Sequence, residues 1–123
     1  MMKSQIEIQQ RFLKENAQMR LGHLASDLSR IASLTEIKME EEAAKLVMEE
    51  AKFFTEWAGT AAEADLETRM FLAEIQGYIS LKKLEWDSAS KGEEWRGNLR
   101  RQLRLWSDEL LKRAGFFEDD ERF

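Results

Sequence analysis

WRGNLRRQLRLW, residues 95–106, is the stretch whose periodicity sets the fold class. Its apolar residues Trp95, Leu99, Leu103 and Trp106, continued by Leu110, recur at steps of four and three. That is the period of one face of an α-helix, whereas a half-buried strand alternates every second residue. Arg96, Arg100 and Arg104 lie along one shoulder of the stripe, and Arg101 lies on the opposite side. Both tryptophans sit on the apolar stripe, so they are expected to face a core. Shoulder arginines commonly lay their stems on apolar surface and pair with acids of a neighbouring helix.

The rest of the chain repeats this helical pattern. It has 123 residues, one domain by length, with 43% hydrophobic and 35% charged residues, a mixture that argues against disorder. There is no proline to break a helix and no cysteine for disulfides or thiolate chemistry. Three internal Ser/Thr-x-x-Glu boxes, Ser33–Glu36, Thr60–Glu63 and Ser90–Glu93, have the form of N-terminal helix caps and divide the chain. Together they predict helices over 4–32, 34–58, 61–86 and 91–114. A change of phase supports the first boundary: the stripe Leu21, Leu24, Leu28, Ile31 would otherwise continue onto polar Thr35, Lys38 and Glu42. Gly115 is placed to end the last helix. Short connections favour antiparallel neighbours. The expected fold is therefore all-α, an antiparallel up-down-up-down four-helix bundle over residues 1–115. Residues 116–123 form an acidic and aromatic tail, FFEDDERF.

The second and third predicted helices carry more apolar surface than one core requires. Ala44, Val47, Ala51, Phe54 and Ala58 make one seam of the second helix; Met39, Leu46, Phe53 and Trp57 belong to another. In the third, Phe71, Ile75, Tyr78, Ile79 and Trp86 make the first face, and Leu66, Met70, Ala73, Gly77, Leu81 and Leu84 the second. An edge helix normally needs an apolar stripe little wider than about 100°. The second faces are thus a candidate interaction surface for a homodimer through helices two and three or for another protein, since large exposed apolar patches are uncommon on monomers.

Chemistry finds little foothold. His23 is the sole histidine, and no Glu-x-x-His pair of the kind used in di-iron bundles occurs. There is no phosphate-cradling glycine loop and no Gly-x-Ser-x-Gly nucleophile motif. No catalytic residue, metal site or cofactor is therefore expected. Net charge is −5, with −4 over residues 33–59 against +3 over 90–115. That asymmetry suits complementary surfaces in an assembly. No run approaches the roughly 20 apolar residues of a membrane span. The N-terminal MMKSQIEIQQ lacks a signal-peptide core, so a cytoplasmic location without membrane attachment is expected.

The leading expectation is a non-enzymatic protein–protein interaction module, such as an adaptor, assembly factor or inhibitor. It would act through the outer apolar faces and the charged patch Arg96, Arg100, Arg101 and Arg104. One alternative is a nucleic-acid-associated regulator using those arginines, although Glu93, Glu94, Asp108 and Glu109 frame them. A second is a small-ligand sensor with an interhelical pocket.

Overall fold

The computed structural model describes residues 5–14, 16–36, 41–59, 65–89 and 92–115. Among these, every regular element is an α-helix: α1 (Gln5–Lys14), α2 (Ala17–Leu34), α3 (Glu41–Gly59), α4 (Leu66–Ala89) and α5 (Glu93–Arg113). The first predicted helix is thus two. Asn16 adopts extended backbone angles, and its side chain accepts a 2.8 Å hydrogen bond from the amide of Met19. This N-cap satisfies an otherwise orphan donor and starts a new helix.

The expected cap boxes also need revision. Ser33 lies in the last turn of α2, with Thr35 as C-cap, so the first box does not open a helix. Its Glu36 faces Arg104 instead, at 3.1 Å. Thr60–Glu63 lies outside the described residues. The described start of α4 is capped by Asp65, whose carboxylate accepts from the Thr68 amide at 2.7 Å. Ser90 is also outside the described residues. Gly92 occupies the N-cap of α5 without a side-chain bond, and Glu93 turns to Arg96 at 2.8 Å. The C-terminal expectation for Gly115 matches: it has φ 89°, and its amide donates to the Lys112 carbonyl at 3.0 Å. A positive φ is inexpensive only for glycine. Residues 116–123, the expected tail, lie outside the described residues.

One hydrophobic core joins the helices. α2 contributes Leu24, Leu28 and Ile31; α3 contributes Ala44, Met48, Ala51 and Phe54; α4 contributes Leu72, Ile75, Ile79 and Trp86; α5 contributes Leu99, Leu103 and Leu110. α2 packs extensively on both α5 and α3, and α3 packs on α4. Ser107 of α5 donates to the Ala25 carbonyl in the middle of α2 at 2.9 Å, while Arg100 reaches Thr35 at the C-terminal end of α2. Between α3 and α4, Gln76 reaches the Lys52 carbonyl and Lys83 pairs with Glu49. In both cases contacts move backward along one helix as they advance along the other.

The backbones of α4 and α5 meet at few points. Large side chains fill the space between them. The Trp106 ring meets Tyr78 edge-on at 5.0 Å and Phe71 at 6.3 Å. Trp86 and Trp95 cross at 5.6 Å, and the Trp95 indole N–H donates to Glu85 at 3.1 Å. Edge-to-face aromatic pairs contribute about 0.5–1.5 kcal/mol beyond the area they bury. Both tryptophans of the opening stretch are therefore packing residues, partly buried against the core. Trp106→Ala should lower unfolding stability by about 2–4 kcal/mol in urea titration. A loss below about 0.5 kcal/mol would mean that α4 is held to α5 by something other than this aromatic wedge.

Candidate interaction surface

The ten apolar residues expected on an outer surface separate into two groups. Met39 lies outside the described residues. Phe53 is half-buried against the core, and Trp57 is only 8% exposed. Trp57 belongs to the core and stacks with Phe53 at 5.6 Å and with Phe54 at 5.8 Å, while α1 packs on α3 beside them. Ile8, Leu46, Phe53 and Trp57, with Glu49 and Glu50, border a groove of about 340 Å³ between α1 and α3. Leu46 remains 70% exposed at its edge.

The α4 group is open. Leu66 is 72% exposed, Met70 64%, Leu81 49% and Leu84 83%. Ala73 and Gly77 are exposed between them. At 100° per residue, these six residues centre on the side of α4 diametrically opposite Leu72, Ile75, Ile79 and Trp86. The core uses one side of the helix, leaving the other apolar side in solvent. A β-carbon built on Gly77 meets no described residue within 4 Å.

The arginine patch is arranged differently. Arg96 is buried and pairs with Glu93. Arg100 donates through Nε to the Thr35 hydroxyl at 3.1 Å and through Nη2 to its carbonyl at 3.4 Å. It also lies 3.6 Å from both Glu36 and Glu93. Arg104 pairs with Glu36. Arg100 thus supplies donors to the C-terminal end of α2, where carbonyls lack helical partners, while Arg104 reaches the Glu36 side chain just beyond it and Arg96 stays within α5. Arg101 is exposed and donates to Asn98 one turn earlier. Its side-chain environment is therefore separate from the α2–α5 junction.

A buried acid pair was not evident in the sequence. Asp27, only 4% exposed on α2, is hydrogen-bonded to Glu50 of α3. Desolvation, the shared hydrogen bond and the Glu50 charge raise the Asp27 pKa from 3.8 to about 8, opposed by nearby Arg30. The only sequence signal was Asp27 beside Leu28 and Leu24 on a core-facing helix. Among the described residues, no group of three or more acidic or imidazole side chains is placed to hold a metal ion. None of the described helices is long and apolar enough to cross a membrane.

Comparisons with protein-family models, with curated proteins and with solved structures find no match to this chain. The open α4 face must therefore be interpreted from its own chemistry.

The raised Asp27 pKa has a definite consequence. The folded state retains this proton where the unfolded chain has lost it, so the contribution to stability is full below about pH 3.8 and falls as pH rises toward 8. Asp27→Asn should remove that dependence. Between pH 5 and 8 the variant's stability should gain on the parent's by up to about 1.4 kcal/mol per pH unit. Parallel stability curves for the two proteins would show that Asp27 does not retain the proton.

Proposed function

We propose that this chain is a non-enzymatic protein-interaction module whose binding surface is the outer face of α4. Its frame is an antiparallel up-down-up-down bundle of α2, α3, α4 and α5, with α1 laid across α3. It acts as an adaptor, assembly factor or inhibitor in the cytoplasm. The observation that carries this reading is the exposure of Leu66, Met70, Leu81 and Leu84 on one stripe opposite the core. Contiguous exposed apolar residues along a helix are a recurrent basis for helix-mediated recognition.

The alternatives draw on less. For nucleic acid, Arg96, Arg100 and Arg104 already face Glu93 or Glu36, leaving Arg101 as the patch residue outside those ion pairs. A small-ligand sensor has the α1–α3 groove in its favour, with aromatic walls and two glutamates at its rim.

Leu66→Glu and Leu84→Glu change exposed positions and should leave helical circular dichroism and the thermal midpoint nearly unchanged. In affinity capture from the native cell, both should lose partners retained by the parent. Arg101→Glu should retain them. Retention of every partner by folded Leu66→Glu and Leu84→Glu variants would contradict the assignment. Binding to mixed DNA or RNA across a salt series, with loss on Arg101→Glu, would favour the nucleic-acid reading.

A further inference from the structure

The open side of α4 carries a short heptad pattern. Met70, Gly77 and Leu84 recur every seven residues, as do Leu66, Ala73 and Ser80. The two series alternate at steps of four and three, the spacing of a left-handed helix–helix seam. Leu81 adds an apolar residue at one shoulder. At 1.5 Å per residue, the seam from 66 to 84 spans about 27 Å.

Two further observations identify its occupant. First, Gly77 lies within a 24-residue helix, at an exposed position with open space around its absent β-carbon. Glycine there costs about 1 kcal/mol relative to alanine, and no contact among the described residues requires it. With Ala73 one turn earlier, it permits an outside helix to approach closely at the centre of the seam. Second, the shoulders carry unlike charge. Glu67 and Glu74 lie on one side; Arg69 and Lys83 lie on the other. Glu67 already pairs with Arg113, and Lys83 with Glu49, but Arg69 and Glu74 are both exposed.

Opposite shoulders meet when two such helices run parallel. Arg69 and Glu74 are five residues apart, the offset at which those shoulders face one another. A parallel second copy therefore places Arg69 beside Glu74 twice, once on each side of the two-fold axis. In an antiparallel pair, like shoulders meet, setting Arg69 toward the end that carries Lys83. The face is self-complementary in the parallel sense.

We propose that α4 pairs in parallel with α4 of a second copy of this chain, crossing closely at Ala73 and Gly77 and flanked by reciprocal Arg69–Glu74 ion pairs. This inference rests on the interaction-module reading and specifies its partner. A single seam of this length buries on the order of 600 Å² per copy, below the usual 800 Å² of a standard interface. The pair consequently dissociates on dilution.

Sedimentation from about 1 µM to about 1 mM measures that equilibrium over the concentration range expected for a small interface. The weight-average mass should rise toward twice the chain's 14.5 kDa, while Met70→Glu remains at 14.5 kDa. Gly77→Leu should stay folded, because space surrounds its β-carbon, but weaken pairing by at least about tenfold. Arg69→Glu should weaken it by about threefold to tenfold, and the exchanged double variant Arg69→Glu/Glu74→Arg should recover it. The chain contains no cysteine, so Leu84→Cys supplies a single reporter of orientation. Under mild oxidation it should form a disulfide-linked dimer, as expected for equivalent positions across a parallel seam.

A parent chain that remains monomeric to about 1 mM overturns self-pairing, while the partner-capture experiment tests the interaction module independently. Dimerisation unaffected by Met70→Glu and Gly77→Leu overturns the α4 assignment. A disulfide between separately introduced Leu66→Cys and Leu84→Cys chains, with none between two Leu84→Cys chains, overturns the parallel orientation.

Discussion

A helix that is apolar on two opposite sides can bury only one of them against its own bundle. That constraint governs α4 and, through it, the molecule. Leu72, Ile75, Ile79 and Trp86 occupy its inner side, leaving Leu66, Met70 and Leu84 in water. Turning α4 to bury the outer residues would expose the inner ones and lose the aromatic contacts with α5. Burial of a full leucine side chain contributes about 1.5–3 kcal/mol, so several such exchanges would be decisive. The inner face contains the aromatic Trp86 and β-branched Ile75 and Ile79, whereas the outer centre contains Ala73 and Gly77. The bulkier side chains fill the core, and the smaller ones leave room for a close helix.

The charged residues of α5 reinforce that frame. Arg100 ties the middle of α5 to Thr35 at the end of α2, while Arg104 and Arg96 engage Glu36 and Glu93. The serine at position 107 joins the same two helices farther along. Helix α2 is thus held by apolar packing along its length and by donors at its C-terminal end. The partly exposed ion pairs individually add little stability, but they orient α5 around the buried contacts. On the α4 side, Arg113 pairs with Glu67 and lies over the Phe71 ring at 4.8 Å, helping to cover the end of the aromatic wedge.

Helical class and most of the core were legible because Leu99, Leu103 and Leu110, or Ala44, Val47 and Ala51, follow the helical period directly. Their burial agrees with that reading. The break at Asn16 was less legible: helix propensity is high on both sides, and the capping bond depends on one local side-chain geometry. Missing that break also concealed the groove that α1 forms with Phe53 and Trp57 on α3. Periodicity identified Leu66, Met70, Ala73, Gly77, Leu81 and Leu84 as one face, but it could not distinguish a covered face from an open one. Likewise, spacing placed the arginines on a shoulder without specifying Thr35 and Glu36 as their contacts. Asp27–Glu50 depends on the relative placement of two helices, which neither residue's local sequence encodes.

The outer side of α4 is the proposed point of contact with a second copy. Its most direct test is a nuclear magnetic resonance dilution series of the unmodified chain, following every backbone amide. The account predicts concentration-dependent shifts concentrated at Leu66, Met70, Ala73, Gly77 and Leu84, with little change at buried Leu28 and Leu103. Concentration-independent α4 signals, or shifts confined to α2 and α5, would contradict self-pairing through this face.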